Sequence, residues 1–124
     1  MKMLQNWRNQ GYYLNYGEDC IRNFIRKERN RSISKVLDIG CDSGRDLMLV
    51  RNELSPRDVE LYGIGSINIE GVKICNLDLE CERLPFSDNF FDLTICNQVL
   101  EHLKNWLWAF HEQIRVTREG GLAI

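Results

Sequence analysis

The sequence predicts an α/β fold with a mainly parallel β-sheet that is buried on both faces. Apolar strand-like runs alternate with helical patterns, which is the order of a parallel sheet whose strands are joined by helices. The runs are continuously apolar, as expected for strands covered on both faces. Ligands bind at the carboxyl ends of the strands in such sheets. A polar residue or a glycine stands at four of these predicted ends: Asp38, Gly65, Asp78 and Asn97.

The first half of the chain predicts two helices around one buried strand. A helix from about residue 18 to 29 places Ile21, Phe24 and Ile25 on one face. The segment "KVLDIG" predicts the first strand. A second helix runs from about residue 46 to 54, and the pair Ser55-Pro56 ends it.

The second half predicts four more strands and one long helix. "VELYGIG" and "VKICNLD" are the second and third strands, and the loop of residues 66–71 between them is too short for a crossover helix. "FFDLTICNQV" is the fourth strand. A helix over about residues 103–118 follows, with Leu103, Leu107, Phe110 and Ile114 forming its apolar face. Gly120-Gly121 is expected to end this helix, and "GLAI" begins a fifth strand.

Composition narrows the classes of function. The 124 residues suit one modest domain, and a net charge of −2 provides no field that would attract nucleic acid or an anionic membrane. The five cysteines include no C-x-x-C pair, and Cys41, Cys75 and Cys96 lie in or beside apolar runs. They are expected to be small buried side chains rather than disulfides or metal ligands. No signal peptide or membrane span is predicted, so we expect a cytoplasmic protein.

The turn after the first strand, "GCDSG", has the composition of a ligand-binding turn that opens a helix. Its glycines allow close approach of the backbone, and free amides there can hold an anionic group. A Walker P-loop requires a lysine after its last glycine, and none follows Gly44. The dinucleotide fingerprint requires glycines where this chain has Asp42 and Leu47. Both motifs fail.

A third motif fits the same turn. "VLDIGCDSG" resembles motif I of the class I S-adenosylmethionine-dependent methyltransferases. "LYGIG", "NLDLE", "LPFSDNFFDLTICNQVLEHL" and "IRVTREGGLAI" resemble later segments of that family in the expected order. The resemblance covers roughly residues 35–124 and is closest to the small type 11 domains. It implies a Rossmann-like three-layer sandwich with strand order 3-2-1-4-5, a chain that ends inside the fifth strand with the final strands missing, and an N-terminal helical segment over residues 1–34.

The resemblance also implies roles for individual residues. Asp38 would face the amino group of S-adenosylmethionine, and the turn amides would approach its methionine part. Asp78 and the amide of Leu79 would contact the adenine, and Asn97 would lie near the site of methyl transfer. The implied cofactor-binding residues are Asp38, Gly40, Cys41, Asp42, Gly44, Gly65, Asp78, Leu79 and Asn97.

Two of these positions depart from the family pattern. The family carries an acid at the end of the second strand, where it holds both ribose hydroxyls, and this chain has Gly65 there. Ser66 or Glu70 are candidate substitutes. Asp42 replaces a glycine, and since aspartate tolerates a left-handed backbone, we expect the turn to survive. The Asp42 charge could favour the sulfonium or the amine of the cofactor and would oppose its carboxylate, and Gly65 leaves the ribose without the usual acid. We therefore predict weakened affinity for the cofactor.

Other residues have two interpretations each. His102 is either a general base near the transfer site or a helix-start residue that hydrogen-bonds the scaffold. An aromatic group near the N-terminus would either cover the cofactor as a lid or pack the first helix on the sheet. Its members are Trp7, Tyr12, Tyr13 and Tyr16. No catalytic residue is assigned, and no metal site is predicted.

The sequence thus predicts an enzyme that transfers a methyl group to a small molecule or to a glycan or lipid precursor, rather than to nucleic acid. The alternative is a non-catalytic binding or interaction module that keeps the fold, which Gly65, Asp42 and the missing strands favour. A nucleotide-binding oxidoreductase is disfavoured by the failed fingerprint. Because "GLAI" is an apolar edge strand, pairing of two copies through it is a further expectation.

Overall fold

A computed structural model describes residues 16–124. The five strands form one sheet in the order β3-β2-β1-β4-β5, and every neighbouring pair is parallel. The predicted fold class and strand order are confirmed. The strands are β1 (Lys35–Ile39), β2 (Glu60–Ile64), β3 (Val72–Cys75), β4 (Phe91–Ile95) and β5 (Thr117–Ala123); the helices are α1 (Tyr16–Glu28), α2 (Arg45–Leu54) and α3 (Trp106–Val116), and a 3-10 turn spans Leu100–His102.

The central strand β1 sets the position of the site. It pairs with β2 on one side and with β4 on the other, so its carboxyl end lies between theirs. Val36, Leu37 and Ile39 are fully buried, which requires cover on both faces of the sheet. Alternate residues of a strand share a face, so Asp38 is buried on the face of the sheet that carries Val36, opposite Leu37 and Ile39.

Two apolar clusters provide that cover. On one face, Ile21 and Ile25 of α1 pack with Val50 and Leu54 of α2 against the sheet. The other face is aromatic, and it centres on Phe91, which is fully buried. The Phe91 ring meets Tyr62, Phe86 and Phe90 at centroid distances of 5.2, 4.8 and 4.9 Å, all edge to face. The sheet is therefore the middle of three layers.

The connection between β2 and β3 contains no helix, as its length predicts. Within it, Ile69 lies over the start of α2, and a Cβ on Gly44 would stand 2.7 Å from the Ile69 Cδ1. Gly44 also has a left-handed backbone, with φ of 86°. A larger residue at this position would therefore displace the short connection.

The prediction for α3 was wrong in its bounds and in its orientation. The helix begins at Trp106 rather than at residue 103, and it ends at Val116, so Gly120-Gly121 lies inside β5 instead of ending the helix. Leu107, Phe110 and Ile114 are 51, 42 and 49% exposed. The buried face is formed by Ala109, Glu112, Gln113 and Val116.

The polar residues of that buried face are satisfied by specific hydrogen bonds. The Gln113 side-chain amide donates to the Thr94 hydroxyl at 3.2 Å and to the Ile124 carbonyl at 3.2 Å. Glu112 accepts from the Leu84 amide at 2.8 Å and pairs with Arg115 at 2.7 Å. Because these bonds compensate the cost of burial, α3 can turn its polar side to the sheet and its apolar side outwards.

Candidate functional site

A cavity of about 260 Å³ lies at the carboxyl ends of β1 and β4, beside the first turn of α2. This is the edge at which parallel sheets bind ligands. Its walls come from the turn after β1, from α2 and from the segment after β4. The lining residues are Asp38, Gly40, Cys41, Asp42, Ser43, Arg45, Asp46, Asn97, Gln98 and Val99.

Hydrogen bonds fix the turn after β1. The amides of Gly40 and Cys41 both donate to the Ile64 carbonyl at 2.9 Å, which ties the turn to the end of β2. The Gly44 amide donates to the Cys41 carbonyl at 2.7 Å. The three amides that the resemblance assigns to the ligand are therefore engaged within the protein. The backbone amides of Asp42 and Ser43, which belong to no helix or strand, donate to no backbone carbonyl of residues 16–124.

The backbone of the turn tolerates its aspartate. Asp42 has φ of 44°, which lies in the left-handed region that aspartate adopts more readily than most residues. The expectation that the turn survives this substitution is confirmed. The Asp42 side chain is exposed at the rim of the cavity, whereas Gly40 is packed beneath Val99, whose Cγ2 would be 2.6 Å from an added Cβ.

Asp38 is the most perturbed acid of the site. It is 3% exposed, and in the described part of the chain no group donates a hydrogen bond to its carboxylate. Burial, and after it the negative charge of Asp46, raise the pKa of Asp38 to about 8 against the opposing effect of the Arg45 guanidinium. A buried acid that accepts no hydrogen bond from residues 16–124 favours a cation as its ligand.

A second acid, Asp46, lies in the first turn of α2 and is 8% exposed. Its Oδ1 accepts from the Arg45 Nε at 3.1 Å, and its Oδ2 accepts from the Asn97 Nδ2 at 3.2 Å. Asn97 thus contacts α2 as well as lining the cavity. The cavity carries three carboxylates, those of Asp38, Asp42 and Asp46, against one guanidinium.

The end of β2 provides no acid for a ribose. Gly65 is half-buried beside Cys41, whose Sγ would lie 3.0 Å from an added Cβ. The Gly65 amide donates to the Cys75 carbonyl at 3.0 Å. Ser66 and Glu70 are exposed in the connection that follows. None of these three residues lines the cavity.

Asp78 and Leu79 also lie outside the cavity lining. The Asp78 Oδ1 accepts from the Glu80 amide at 2.9 Å, and its Oδ2 accepts from the Cys81 thiol at 3.6 Å. The Asp78 carboxylate therefore closes its own turn. Leu79 is half-buried and packs on the aromatic side of the sheet.

The remaining predicted residues are dispersed. The His102 side chain is 77% exposed and 3.9 Å from the Glu101 carboxylate, away from the cavity lining. Burial raises the pKa of the Cys96 thiol to about 11, so Cys96 is protonated at neutral pH. Cys41 is buried, and Cys75 and Cys96 are half-buried. The candidate lid residues Trp7, Tyr12 and Tyr13 lie outside the described residues, as does the side chain of Tyr16.

Five lining residues were missed by the sequence interpretation: Ser43, Arg45, Asp46, Gln98 and Val99. Two signals point to them. Asp46 and Arg45 fall in the first turn of the helix that the glycine turn opens, so they face whatever the turn binds. Gln98 has φ of 57°, an unusual backbone that clusters at binding sites but is not visible in the sequence.

Residues 16–124 contain no group of three or more His, Cys, Asp or Glu side chains arranged to hold a metal ion. No helix in that range has the length and apolar character needed to cross a membrane.

Comparison with known proteins identifies the family. The model of the family described as "Methyltransferase domain" matches residues 37–124. An uncharacterized protein of Methanocaldococcus jannaschii is 33% identical over 125 residues, which cover 100% of this chain and 52% of that protein. The ubiquinone biosynthesis O-methyltransferase of Rickettsia conorii is 29% identical over 112 residues, which cover 82% of this chain and 37% of the enzyme. The chain thus spans about half or less of these relatives.

Solved structures share the fold. A Methanococcus maripaludis protein, provisionally described as an S-adenosyl-L-methionine-dependent methyltransferase, superposes with a TM-score of 0.67 at 17% identity. The match covers 97% of this chain and 58% of that one. At this identity, the likeness establishes the architecture and the strand order.

Proposed function

Because the chain belongs to the methyltransferase-domain family, we propose that its cavity binds the amino-acid end of S-adenosyl-L-methionine and that the domain transfers the methyl group to an acceptor. The observation that carries this proposal is Asp38. A carboxylate that is 3% exposed, lines a cavity and has no partner among the described residues fits the primary ammonium group of this cofactor.

Different residues of the chain would contact different groups of the cofactor's amino-acid end. Asp38 would accept hydrogen bonds from the ammonium group. The amides of Asp42 and Ser43 lie just before α2, where backbone N–H groups favour a carboxylate. Asn97 and Val99 close the side towards β4. The bound cofactor supplies a methyl group on a positively charged sulfur, and the protein contributes chiefly by fixing the two reactants in position.

The charge of the cavity supports one class of acceptor. Asp38, Asp42 and Asp46 against one guanidinium leave the cavity negative even with a proton on Asp38, which disfavours an anionic acceptor, and the chain has a net charge of −2. This supports a neutral small molecule or a glycan or lipid precursor over nucleic acid. Incubation with methyl-labelled S-adenosylmethionine and separate pools of neutral metabolites, lipids and RNA tests the class. Label found mainly in RNA would contradict it.

Calorimetry with S-adenosylhomocysteine, the demethylated product, tests the binding proposal. We expect weak binding, with a dissociation constant above the micromolar range, because Gly65 leaves the ribose without an acid. The variant Asp38→Asn should weaken binding by about 10-fold or more. Asp58→Asn, an exposed aspartate away from the cavity lining, is the matched control. Equal affinities for the two variants would contradict the role of Asp38.

A binding module without catalysis is the second candidate. The engaged amides of Gly40 and Cys41, together with Gly65, favour it because they reduce the contacts available to the methionine and ribose parts. Calorimetry and label transfer on the same preparation separate the candidates. Binding without transfer to any pool supports the module, whereas transfer supports the enzyme.

Self-association and location complete the proposal. In the described part of the chain β5 pairs only with β4. Helix α3, which leads directly into β5, exposes Leu107, Phe110 and Ile114. A second copy would cover both the free strand edge and this apolar face. A cytoplasmic location is likewise proposed, and fractionation of cells that express the chain checks it.

A further inference from the structure

The position of Asp46 needs more than a structural explanation. An acid in the first turn of a helix is stabilising there in exposed and in partly buried positions alike. Asp46 is 8% exposed, lies in the wall of the cavity and accepts from Arg45 and Asn97 on either side, which the helix terminus alone does not require. Its carboxylate is held in one orientation by groups from two different segments.

Asp46 faces the same cavity as Asp38. Two buried carboxyl groups that share one site are both charged only when a cation lies between them, and otherwise one of them holds a proton. The charges that act on Asp38 are those of Arg45 and Asp46 of α2. Asp42 of the turn lines the same cavity, and the thiols of Cys41 and Cys96 are uncharged at neutral pH because burial raises the pKa of each. Among these groups the Arg45 guanidinium is the one cation, and its side chain is 54% exposed.

We propose that Asp46 is a second carboxylate for the primary ammonium group of the ligand, which it shares with Asp38, and that Asn97 positions it. The inference rests on the proposed function, because it takes the amino-acid end of the cofactor to occupy this cavity. An ammonium group has three donors, so it can bond to both carboxylates and keep one donor for a further acceptor.

The proposal has a consequence for protons. The pKa of Asp38, which burial and then Asp46 raise to about 8, means that the empty site holds a proton on Asp38 at neutral pH. The ligand arrives with its ammonium already protonated. Asp38 must therefore release its proton to solvent as the ammonium binds, and affinity should rise between about pH 6 and pH 7.5, by at most about 10-fold per pH unit.

Calorimetry with two ligands tests the proposal. The first is S-adenosylhomocysteine, and the second is its deaminated analogue, in which hydrogen replaces the amino group. Asp46→Asn keeps the shape of the side chain and removes its charge. We expect it to weaken S-adenosylhomocysteine by about 10-fold or more and to change the affinity of the analogue by less than about 3-fold. Asp42→Asn removes the same charge at the exposed rim and should have the smaller effect on S-adenosylhomocysteine.

Titration of the unchanged chain in two buffers with different ionisation enthalpies provides a readout that needs no variant. Release of close to one proton at pH 7 with S-adenosylhomocysteine, and of almost none with the analogue, supports the proposal. If Asp46→Asn weakens both ligands equally, or neither, Asp46 has only a structural role and the proposal is wrong while the proposed function stands. If the unchanged chain binds neither ligand, the proposed function fails and this inference fails with it.

Discussion

Returning an acid to the end of β2 should strengthen cofactor binding. The proposed function places Gly65 where the resemblance implies an acid for the ribose, and the φ of Gly65 is not in the left-handed region, so an aspartate can adopt the same backbone. A hydrogen bond to a charged group contributes about 1.5–3 kcal/mol. Gly65→Asp could therefore gain about 10- to 100-fold in affinity for S-adenosylhomocysteine.

Crowding by Cys41 reduces that gain. An added Cβ would stand 3.0 Å from the Cys41 Sγ, so the sulfur must move by a few tenths of an ångström within a packed region. Overpacking of this kind costs about 1–3 kcal/mol, which is comparable with the expected gain. The single variant should then bind little better than the unchanged chain, and adding Cys41→Ala should release the full effect.

Calorimetry of four proteins separates charge from size. Gly65→Asp and Gly65→Asn are each made with and without Cys41→Ala, and the asparagine variants match the aspartate in size without its charge. We expect only the aspartate in the Cys41→Ala background to gain 10-fold or more. If aspartate and asparagine bind equally there, then either the ribose does not lie at the end of β2 or an acid does not hold it.

Three other predictions concern stability and assembly. Phe91→Ala should cost about 3–5 kcal/mol in urea unfolding, because the ring is fully buried among three aromatic rings; a loss below 1 kcal/mol would contradict this packing. Asp92→Asn should cost about 1–3 kcal/mol at pH 7. Burial would raise the pKa of Asp92, but hydrogen bonds from Ser34, Lys35 and Arg118 outweigh it and lower that pKa. This stabilisation is full above the ordinary value of 3.8 and is lost as pH falls through the lowered pKa, so the difference between the two proteins should shrink on titration towards pH 2; a constant difference would count against it. Phe110→Ser with Ile114→Ser should abolish any dimer in sedimentation experiments while leaving unfolding nearly unchanged, and an unaltered dimer would rule out this face.

The sheet could be predicted because its signal is local. Strands β1, β2 and β4 are short, mainly apolar runs, and Asp38 stands out because a charged residue interrupts the run of β1. Strand β5, with the sequence TREGGLA, was recognised only by its last residues. Which face of α3 packs against the sheet could not be predicted in the same way. Its apolar stripe through Leu107 and Phe110 is regular, but Gln113 binds Thr94 and Ile124 across the interface, and such bonds depend on segments distant in sequence. Periodicity shows that a helix has two different faces, and it does not show which face meets the sheet.

The site was predicted in part for a related reason. The turn and the strand ends identified Asp38, Cys41 and Asn97, since these positions are fixed by topology. Asp46 appeared to be an ordinary acid at the start of a helix. Its contribution depends on burial and on Asn97, which is 51 residues away and reaches it only after β4 joins the sheet.

The pairing of β1 has a consequence for how the chain acquires its structure during synthesis. Val36 pairs with Leu61 and with Leu93, which follow it by 25 and 57 residues. At about 5–20 residues per second, roughly 2–6 s separate the emergence of these two partners from the ribosome. Throughout that interval the β4-facing edge of β1 lacks its partner, and the apolar side chains beside it lack part of their cover. Among the strands that pair on both sides within residues 16–124, β1 thus waits longest for its second partner, and it is where a chaperone would be expected to act.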